Sequence, residues 1–470
     1  MPLDDLQWAL DDIGARAKAY QHFRDYYNGD HRLLFATEKF RNAFGDLFQS
    51  FADNLCSSVV DAVADRLEVA AFEAPGAETA AGQAWEVWER NRMDRRAGDV
   101  HAGALREADA FVVVWPNRLG EPRIWPQNPQ TIAVRYDDDD EPDRILWAAK
   151  VWRTKVTWDG TARPGVRANL YYPERIEKWA AQIGEGATVK ASRFRAFEPD
   201  DGTGSEVINP YGVVPVFHFA NGASDGSYGR SELADVIPLQ DALNKAIADM
   251  LVAMEFHAYP QRWMVGVEVE RHPETGKPLD PPFKPGADRI WSLGNPDARF
   301  GQFDPASLQG FLAVQDSFRA EVARVSGTPL HYLMLSGEFP SGEAMKTAEA
   351  RLVKKVEDRQ TAFGNVWEDA LRLCVAIAGG PADAPLSAIW ESAESRDERL
   401  EAETATLKKE LGVSTEQLLR ELGYTPDQIE QMAEEREVGG TDVGEALLRA
   451  FERGGSTVPV GPTLGGGAQA

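Results

Sequence analysis

Apolar positions recur every three or four residues over most of the first hundred residues, which is the spacing of amphipathic helices. Asp4 stands where it can cap a helix near the start of the chain, and the apolar positions from 40 to 67 keep the helical spacing. Residues 77–93 and 96–107 repeat it. The pattern therefore predicts helices through residues 1–72, followed by two more.

After Phe111 the pattern changes to β-branched and aromatic runs, some of them alternating in polarity. Gly, Pro and Asp separate these runs, as they do between the strands of antiparallel sheets. The predicted strands cover 111–115, 131–136, 145–157, 168–172 and 175–180, and residues 199–205 are predicted to form a loop.

The second half of the chain carries three long helical patterns, over 231–258, 305–325 and 343–377. Pro238 lies near the start of the first, where it either kinks the helix or marks its first turn. Between the first two patterns, residues 259–304 hold short strand-like pieces among prolines.

Three other segments have distinctive compositions. Residues 326–342 are a loop with unusually bulky apolar side chains. Residues 390–437 are acidic and carry helix signals, with Ser414 as a predicted cap. From residue 454 the chain consists mainly of Gly, Pro and small residues, a composition typical of disorder.

Composition narrows the possible functions. The net charge is −25, from 50 basic and 75 acidic residues. Tight binding to duplex DNA requires a basic face, so any contact of this chain with DNA is expected to be weak. Cys56 and Cys374 form no paired motif, which favours a reducing compartment. No apolar run approaches the roughly 18 residues that span a bilayer, so a cytosolic chain is expected.

The search for catalytic motifs yields little. The phosphate-binding loop, the HExxH motif, Cys/His clusters and the GxSxG elbow are all missing, so no cofactor or metal is expected and the chain is predicted not to be an enzyme. A hydrolase that uses paired carboxylates stays open as an alternative. The acidic run 137–141 is interpreted as a solvated hairpin turn rather than a cation site, and His218 as a packed strand residue.

The long pattern over 343–377 also carries charges at helical spacing. Basic and acidic side chains three or four residues apart pair along one face of a helix. We therefore interpret its basic residues, Lys346, Arg351, Lys354, Lys355 and Arg359, as part of a solvated face, with contact to DNA as the alternative.

The order of parts over 229–378 (long helix, compact β insert, second long helix, apolar loop, very long helix) resembles the core of tailed-bacteriophage portal proteins. Local motifs are similar to those of portals from phages of actinobacteria, and the resemblance spans residues 20–430. The motifs that carry it are Tyr26–His31, Phe35–Arg41, Phe51–Asn54, Val59–Ala62, Asn209–Val216, Ser231–Leu233, Ile237–Lys245, Phe339–Ala344 and Ala348–Leu352.

The resemblance implies an α+β portal fold, with a mixed helical and antiparallel-β wing, long stem helices, a small β-containing clip, a long wing helix and a helical crown. The implied divisions are a wing over 1–228, a first stem helix over 229–258, a clip over 259–304, a second stem helix over 305–326, a tunnel loop over 327–342, a long wing helix over 343–378, a crown over 379–453 and a disordered tail over 454–470.

The resemblance also implies a function. Twelve copies would form a ring at one capsid vertex, a channel for packaging and ejecting double-stranded DNA without sequence specificity. The implied partners are the large terminase subunit, which is the packaging ATPase, the major capsid or scaffolding protein and a head-completion adaptor. No membrane partner is implied, and another capsid structural protein stays open as an alternative to a portal. The chain would lie in the virion, and in the host cytoplasm during assembly.

Three sets of candidate residues follow from this resemblance. The tunnel-loop set is Leu330, Tyr332, Leu333, Leu335, Phe339, Ser341 and Lys346. The channel-lining stem set is Glu232, Asp235, Asp241, Lys245 and Asp249. The clip set, for docking partners, is Arg262, Trp263, Arg289 and Trp291. The acidic excess of the stem set suits a channel wall, because such a wall does not hold the DNA phosphates.

Overall fold

Helices and antiparallel strands are mixed along the chain, which confirms the predicted α+β class. A computed structural model gives the structure. It describes residues 2–31, 53–258 (except 138, 159, 185, 200, 201 and 225), 262–265, 273, 297, 299–302, 308–334 and 342–394, and a few residues between 408 and 432.

The described residues of the N-terminal region are largely helical, as the apolar spacing predicts, while residues 32–52 of that prediction lie outside the described residues. The described helices are α1 (Pro2–Tyr27), α2 (Leu55–Ala64), α3 (Glu78–Arg90) and α4 (Met93–Glu107). The side chain of Asn54 caps α2 by accepting a hydrogen bond from the backbone N–H of Cys56 at 3.2 Å.

The prediction of helix as far as residue 72 is wrong at its end. There the chain forms strand β1 (Val69–Glu73). Its antiparallel partner is the last strand of the described chain, Ser387–Trp390, with Phe72 opposite Ala388. The pairing joins segments that lie far apart in sequence, and the helical spacing of the preceding residues gave no sign of it.

Two antiparallel sheets form the middle of the chain. The first has the strand order β10–β2–β3, and its central strand is apolar after Asp109, with its first six residues buried. The second runs β4–β5–β6–β7–β8, with β9 also paired to β7. These strands are β2 (Asp109–Pro116), β3 (Pro122–Gln127), β4 (Ile132–Tyr136), β5 (Ile145–Trp158), β6 (Thr161–Tyr171), β7 (Arg175–Gln182), β8 (Arg195–Ala196), β9 (Glu206–Ile208) and β10 (Val216–Ala220).

Two of the three predicted long helices pack along each other. They are α5 (Ile237–Ala258) and α6 (Gln309–Ser326), and Nε2 of Gln315 lies 3.3 Å from Sδ of Met250. Because α5 begins at residue 237, Pro238 belongs to its first turn rather than to a kink. Between the two helices, β11 (Arg262–Val265) pairs antiparallel with β12 (Arg299–Gln302).

The third long helix is α7 (Gly342–Ile377), within one residue of its predicted start. The strand Ser387–Trp390 that follows it is β13, and α8 (Thr415–Glu421) lies in the acidic region. The hydroxyl of Ser414 accepts a hydrogen bond from the backbone N–H of Gln417 at 3.3 Å, which confirms Ser414 as a cap.

Aromatic packing joins α7 to the N-terminal helices in the largest core. Trp367 of α7 is fully buried, and its ring meets that of Trp88 of α3 edge-on at 5.0 Å. His101 of α4 is also fully buried and stacks on Phe363. The long helix is therefore fixed on one face to α3 and α4.

Candidate channel and docking surfaces

The first turns of α5 are buried against the end of α1 and the start of α2. Tyr26 Oη donates a hydrogen bond to Asp241 Oδ1 at 2.6 Å, and Gln240 Oε1 accepts one from the backbone N–H of Leu55 at 2.8 Å. Burial raises the pKa of the Asp241 carboxyl, although the hydrogen bond from Tyr26 opposes that rise. Asp241 is 7% exposed, so the expectation that it lines a channel is wrong.

Glu232, just before α5, is also enclosed. Its carboxylate accepts hydrogen bonds from Lys355 Nζ at 2.7 Å and from Arg359 Nη2 at 3.1 Å, and its side chain is 9% exposed. Burial opposes its ionisation, but the two cations outweigh this effect and hold the pKa of Glu232 below its usual range. Glu232 therefore ties the base of α5 to α7, and its expected place on a channel wall is wrong.

Lys355 also donates a hydrogen bond to the backbone carbonyl of Ser326, the last residue of α6. One ion-pair cluster, which we call the stem-base cluster (Glu232, Lys355 and Arg359), thus connects the base of α5, the end of α6 and the middle of α7. Lys355 and Arg359 were expected on a solvated face of α7, but their side chains are only 18% exposed. Lys354 does lie on such a face, 70% exposed and 2.9 Å from Asp358.

The other stem candidates lie at the surface. The side chain of Asp235 is 52% exposed and pairs with Arg230 at 2.6 Å. One turn apart on α5, Lys245 and Asp249 form an ion pair and are 32% and 45% exposed. These carboxylates are accessible to a partner or to a solute in a channel.

Apolar side chains near the far end of the α5–α6 pair are exposed in the protomer. Met254 is 45% exposed, Leu312 51% and Val314 46%. Burying such side chains lowers the free energy by roughly 25 cal/mol per Å² of apolar surface. This end of the helix pair is therefore a candidate contact surface.

The turn that follows α6 is fixed to the protomer at its start. Residues Leu330–Tyr332 form a 3-10 turn, and Tyr332 Oη contacts Arg66 Nη2 at 2.8 Å and Glu349 Oε1 at 3.1 Å. Leu333 is 4% exposed, so its expected place facing a lumen is wrong, because it packs in the core. Leu330 and Tyr332 remain over one third exposed.

The remaining candidates lie on α7, on β11 or outside the described residues. Lys346 is exposed on α7. Arg262 and Trp263 lie on β11, opposite Gln302 and Gly301, and only their backbone is described. The candidates outside the described residues are Leu335, Phe339, Ser341, Arg289 and Trp291.

A buried polar network between the two sheets has groups of the kind used in catalysis. Asp109 Oδ1 lies 2.7 Å from His218 Nε2, and Tyr136 Oη lies 2.7 Å from His218 Nδ1. Burial disfavours the carboxylate of Asp109, but its bonds to His218 and to the backbone N–H of Gly229 hold its pKa below the usual value. The side chains of His218 and Asp109 are each 1% exposed, so a substrate cannot reach them. His218 is a packed strand residue, as predicted.

Among the residues that the structure describes, no group of three or more His, Cys, Asp or Glu side chains is placed to hold a metal ion. The described helices also include none that is long and apolar enough to cross a membrane.

Comparison with known protein families shows which family this chain belongs to. Residues 6–439 match the family described as phage portal protein, SPP1 Gp6-like. The chain belongs to the phage portal protein family. It is 28% identical to the portal protein of Mycobacterium phage L5 over 430 residues, which is 86% of this chain and 82% of the relative. The portal protein of Mycobacterium phage D29 is 28% identical over 426 residues, with the same coverage of each chain.

Solved structures give a weaker likeness to this portal-family chain. A chain from the neck of a native gene transfer agent particle, computed with C12 symmetry, aligns with a TM-score of 0.47 and 12% identity. A chain from the neck of an empty particle aligns with a TM-score of 0.48 and 13% identity. Each alignment covers 84% of this chain and 95% of the other.

The stem-base cluster of this portal-family chain was missed by sequence analysis. Glu232 lies more than 120 residues from Lys355 and Arg359, so no local spacing links them. The sequence feature that could have indicated the burial of Lys355 and Arg359 is their helical spacing from the apolar positions Leu352 and Val356, which are buried.

Proposed function

We propose that copies of this chain assemble into a ring at one vertex of a phage capsid, and that double-stranded DNA is packaged and ejected through its centre. The observation that carries the proposal is the portal-family match over residues 6–439. Twelve subunits is the number implied by the resemblance to tailed-phage portals. In this proposal the chain is a structural part of the virion, made in the host cytoplasm, and has no catalytic role.

The α5–α6 pair supports assembly through its exposed apolar side chains. Leu312 and Val314 are about half exposed in the protomer, and a neighbouring copy would cover them. A ring forms when one face of each copy binds a different face of the next, which is a heterologous contact that closes on itself.

We further propose that the accessible carboxylates of α5 and of the turn just before it face the channel. Asp235 and Asp249 are about half exposed, and each forms an ion pair with one basic neighbour, so these groups carry no net positive charge. DNA binds proteins mainly through cations that displace its counterions. A wall without an excess of cations would not hold DNA, which could then slide.

The remaining parts receive partners in this proposal. Leu330 and Tyr332, with the residues up to 342, would contact DNA as a tunnel loop. The segment 259–304 would bind the packaging ATPase during filling and a head-completion adaptor afterwards, with Arg262, Trp263, Arg289 and Trp291 in the contact. The outer surface would meet the capsid or scaffolding protein. Packaging energy would come from the ATPase.

Reversing the charge of the channel wall tests the proposed channel. Rings of the Asp235→Lys, Asp249→Lys double variant are expected to bind duplex DNA in a strongly salt-dependent way, because each phosphate contact adds about 0.9 to the slope of log K against log salt. Wild-type rings are expected to bind weakly. The measurement is a titration of short duplex DNA into purified rings at several NaCl concentrations.

The matched control is Asp99→Lys, on α4, whose carboxylate is 72% exposed and lies 3.9 Å from Arg95. It makes the same charge change as the single variant Asp249→Lys, but outside the stem, and is expected to leave DNA binding near the wild-type level. Equal DNA binding by the control and the stem variant would contradict the placement of α5 on the channel.

A further inference from the structure

A cavity of about 460 Å³ lies where α3 meets α4, beside the first residues of β3. Four guanidinium groups line it, from Arg90, Arg92, Arg96 and Arg123, together with the half-exposed ring of Trp125. The described lining residues include no carboxylate. In a chain with a net charge of −25 this is an unusual concentration of positive charge, and we call it the arginine pocket.

Buried hydrogen bonds form the floor of the arginine pocket. Asn91 is 5% exposed, and its Oδ1 accepts a hydrogen bond from the backbone N–H of Ile124 at 3.0 Å. Its Nδ2 donates to the carbonyl of Val87 at 2.8 Å, and its own carbonyl accepts from Arg96 Nη1 at 3.1 Å. The pocket is thus built before any ligand arrives, which reduces the entropy lost on binding.

Arg92 is held in an uncommon backbone conformation at the mouth of the pocket. Its φ is +54°, in the left-handed region that non-glycine residues seldom adopt. It stands at the N-cap of α4 without a side-chain cap hydrogen bond, so the positive end of the helix dipole adds to the field. Its exposed guanidinium pairs with no acidic side chain among the described residues.

Glutamates neutralise the pocket only in part. Glu86 lies 2.6 Å from Arg90, and Glu121 lies 3.4 Å from Arg123. All four side chains are more than one third exposed, so these pairs contribute little and can exchange partners. The pocket therefore carries an excess of cationic groups, which suits a ligand with several carboxylates or phosphates.

The connection between β4 and β5 has the complementary charge. We call it the acidic turn (Asp137, Asp139, Asp140 and Glu141). Asp137 accepts hydrogen bonds from the backbone N–H groups of Asp139 and Asp140 at 3.0 and 3.3 Å, which hold its pKa low. Asp139 and Asp140 are exposed, and in the described part of the chain neither is paired with Lys or Arg.

The acidic turn and the arginine pocket lie beyond opposite ends of β2. The segment 226–229 connects the acidic turn to the start of β2. The backbone N–H of Gly229 donates a hydrogen bond to Asp109, the first residue of β2. Gly226 lies so close to Pro142, next to the acidic turn, that a Cβ at Gly226 would be 2.2 Å from the carbonyl oxygen of Pro142. The pocket includes Asn117, the residue just after β2. The eight residues of β2 separate its ends by about 23 Å, so a protomer cannot fill its own pocket with its own turn.

We propose that the arginine pocket of one protomer binds the acidic turn of the next protomer in the ring. The inference rests on the proposed function, since it needs a ring. A heterologous contact requires two different and complementary patches on separate faces of one chain, and these two patches meet that requirement. Guanidinium groups bind carboxylates through paired hydrogen bonds, which would also fix the register between neighbours.

Charge reversal tests the contact. The double variant Arg92→Glu, Arg123→Glu places like charges against the acidic turn, and so does Asp139→Arg, Asp140→Arg against the pocket. Each is expected to raise the protein concentration at which half of the chains are in rings by about tenfold or more. Combining all four substitutions is expected to reverse most of that loss. Sedimentation velocity at a series of concentrations measures the shift.

Disulfide trapping gives an independent readout. The native Cys56 and Cys374 are fully buried, so cysteines introduced at the surface should react selectively. The variant carrying both Arg92→Cys and Asp140→Cys is expected to form covalently linked ladders under mild oxidation. Each single variant is the matched control and is expected to give no ladder.

The outcomes separate this inference from the proposed function. If the wild-type chain never assembles, the proposed ring is wrong and the contact falls with it. If the wild type forms rings while the reversals leave assembly unchanged and no ladder forms, the ring stands and this contact is wrong. If the arginine reversals leave assembly intact but reduce binding of duplex DNA, the pocket binds phosphates, which also overturns the proposal.

Discussion

The variant Glu232→Gln is expected to lower the free energy of unfolding by about 3–5 kcal/mol, the range for breaking a buried ion pair by removing one partner. The amide keeps the size of the side chain and can still accept a hydrogen bond from Asn221. It leaves Lys355 and Arg359 without a counter-charge at positions that are 18% exposed. Urea-induced unfolding followed by tryptophan fluorescence measures the change.

The matched control for this variant is Asp235→Asn. Asp235 also pairs with an arginine, but both side chains are more than half exposed, so the expected loss is below about 1 kcal/mol. A loss of the same small size in Glu232→Gln would contradict the structural role of the stem-base cluster. Acid is expected to have the same effect as the variant. The pKa of Glu232 is lower in the folded chain than in the unfolded chain, so the ionised carboxylate stabilises the fold fully above the unfolded pKa. This stabilisation is lost as pH falls through the folded pKa.

Acidification below pH 6.5 is expected to destabilise the protomer through His101, by about 3 kcal/mol once pH reaches the folded pKa. His101 is fully buried, and burial lowers its pKa from 6.5 to about 4. Its Nδ1 lies 3.0 Å from the carbonyl oxygen of Leu67, and its Nε2 accepts a hydrogen bond from Trp367 Nε1 at 2.8 Å. Both partners are therefore satisfied by the neutral ring, and a second ring proton would face the Trp367 N–H.

The sign of this effect follows from proton binding. Between pH 6.5 and about 4 the unfolded chain binds a proton at His101 that the folded chain does not, so stability falls as pH falls through that window. The variant His101→Gln keeps a donor for Leu67 and an acceptor for Trp367 but does not titrate. It is expected to show a flatter profile of unfolding free energy against pH. Parallel profiles for the two proteins would contradict the neutral buried histidine.

The long helices could be predicted because their patterns are local. The apolar face of α7 repeats at helical spacing over ten turns, and the prolines after it stop the helix, so its bounds were predicted to within one residue. Pairing of β1 with β13 could not be predicted in the same way. Each strand is only four or five residues long, and its partner strand lies over 300 positions away in the sequence.

The candidate site shows the same division. Asp249 is exposed on the polar side of α5 and Asp235 in the turn before it, and sequence analysis named both as channel-lining candidates. Glu232 and Asp241 carry the same charge in the same segment, yet the fold encloses them through Lys355 and Tyr26. Only tertiary contacts tell these two pairs apart, because sequence position reports charge but not which side chains a distant helix covers.

The mass of the purified protein under native conditions, with negative-stain images of the same sample, tests the central claim most directly. We predict particles with the mass of about twelve chains and a central hole wide enough for duplex DNA. A mass of one to four chains at every protein concentration, without rings in the images, would contradict the account.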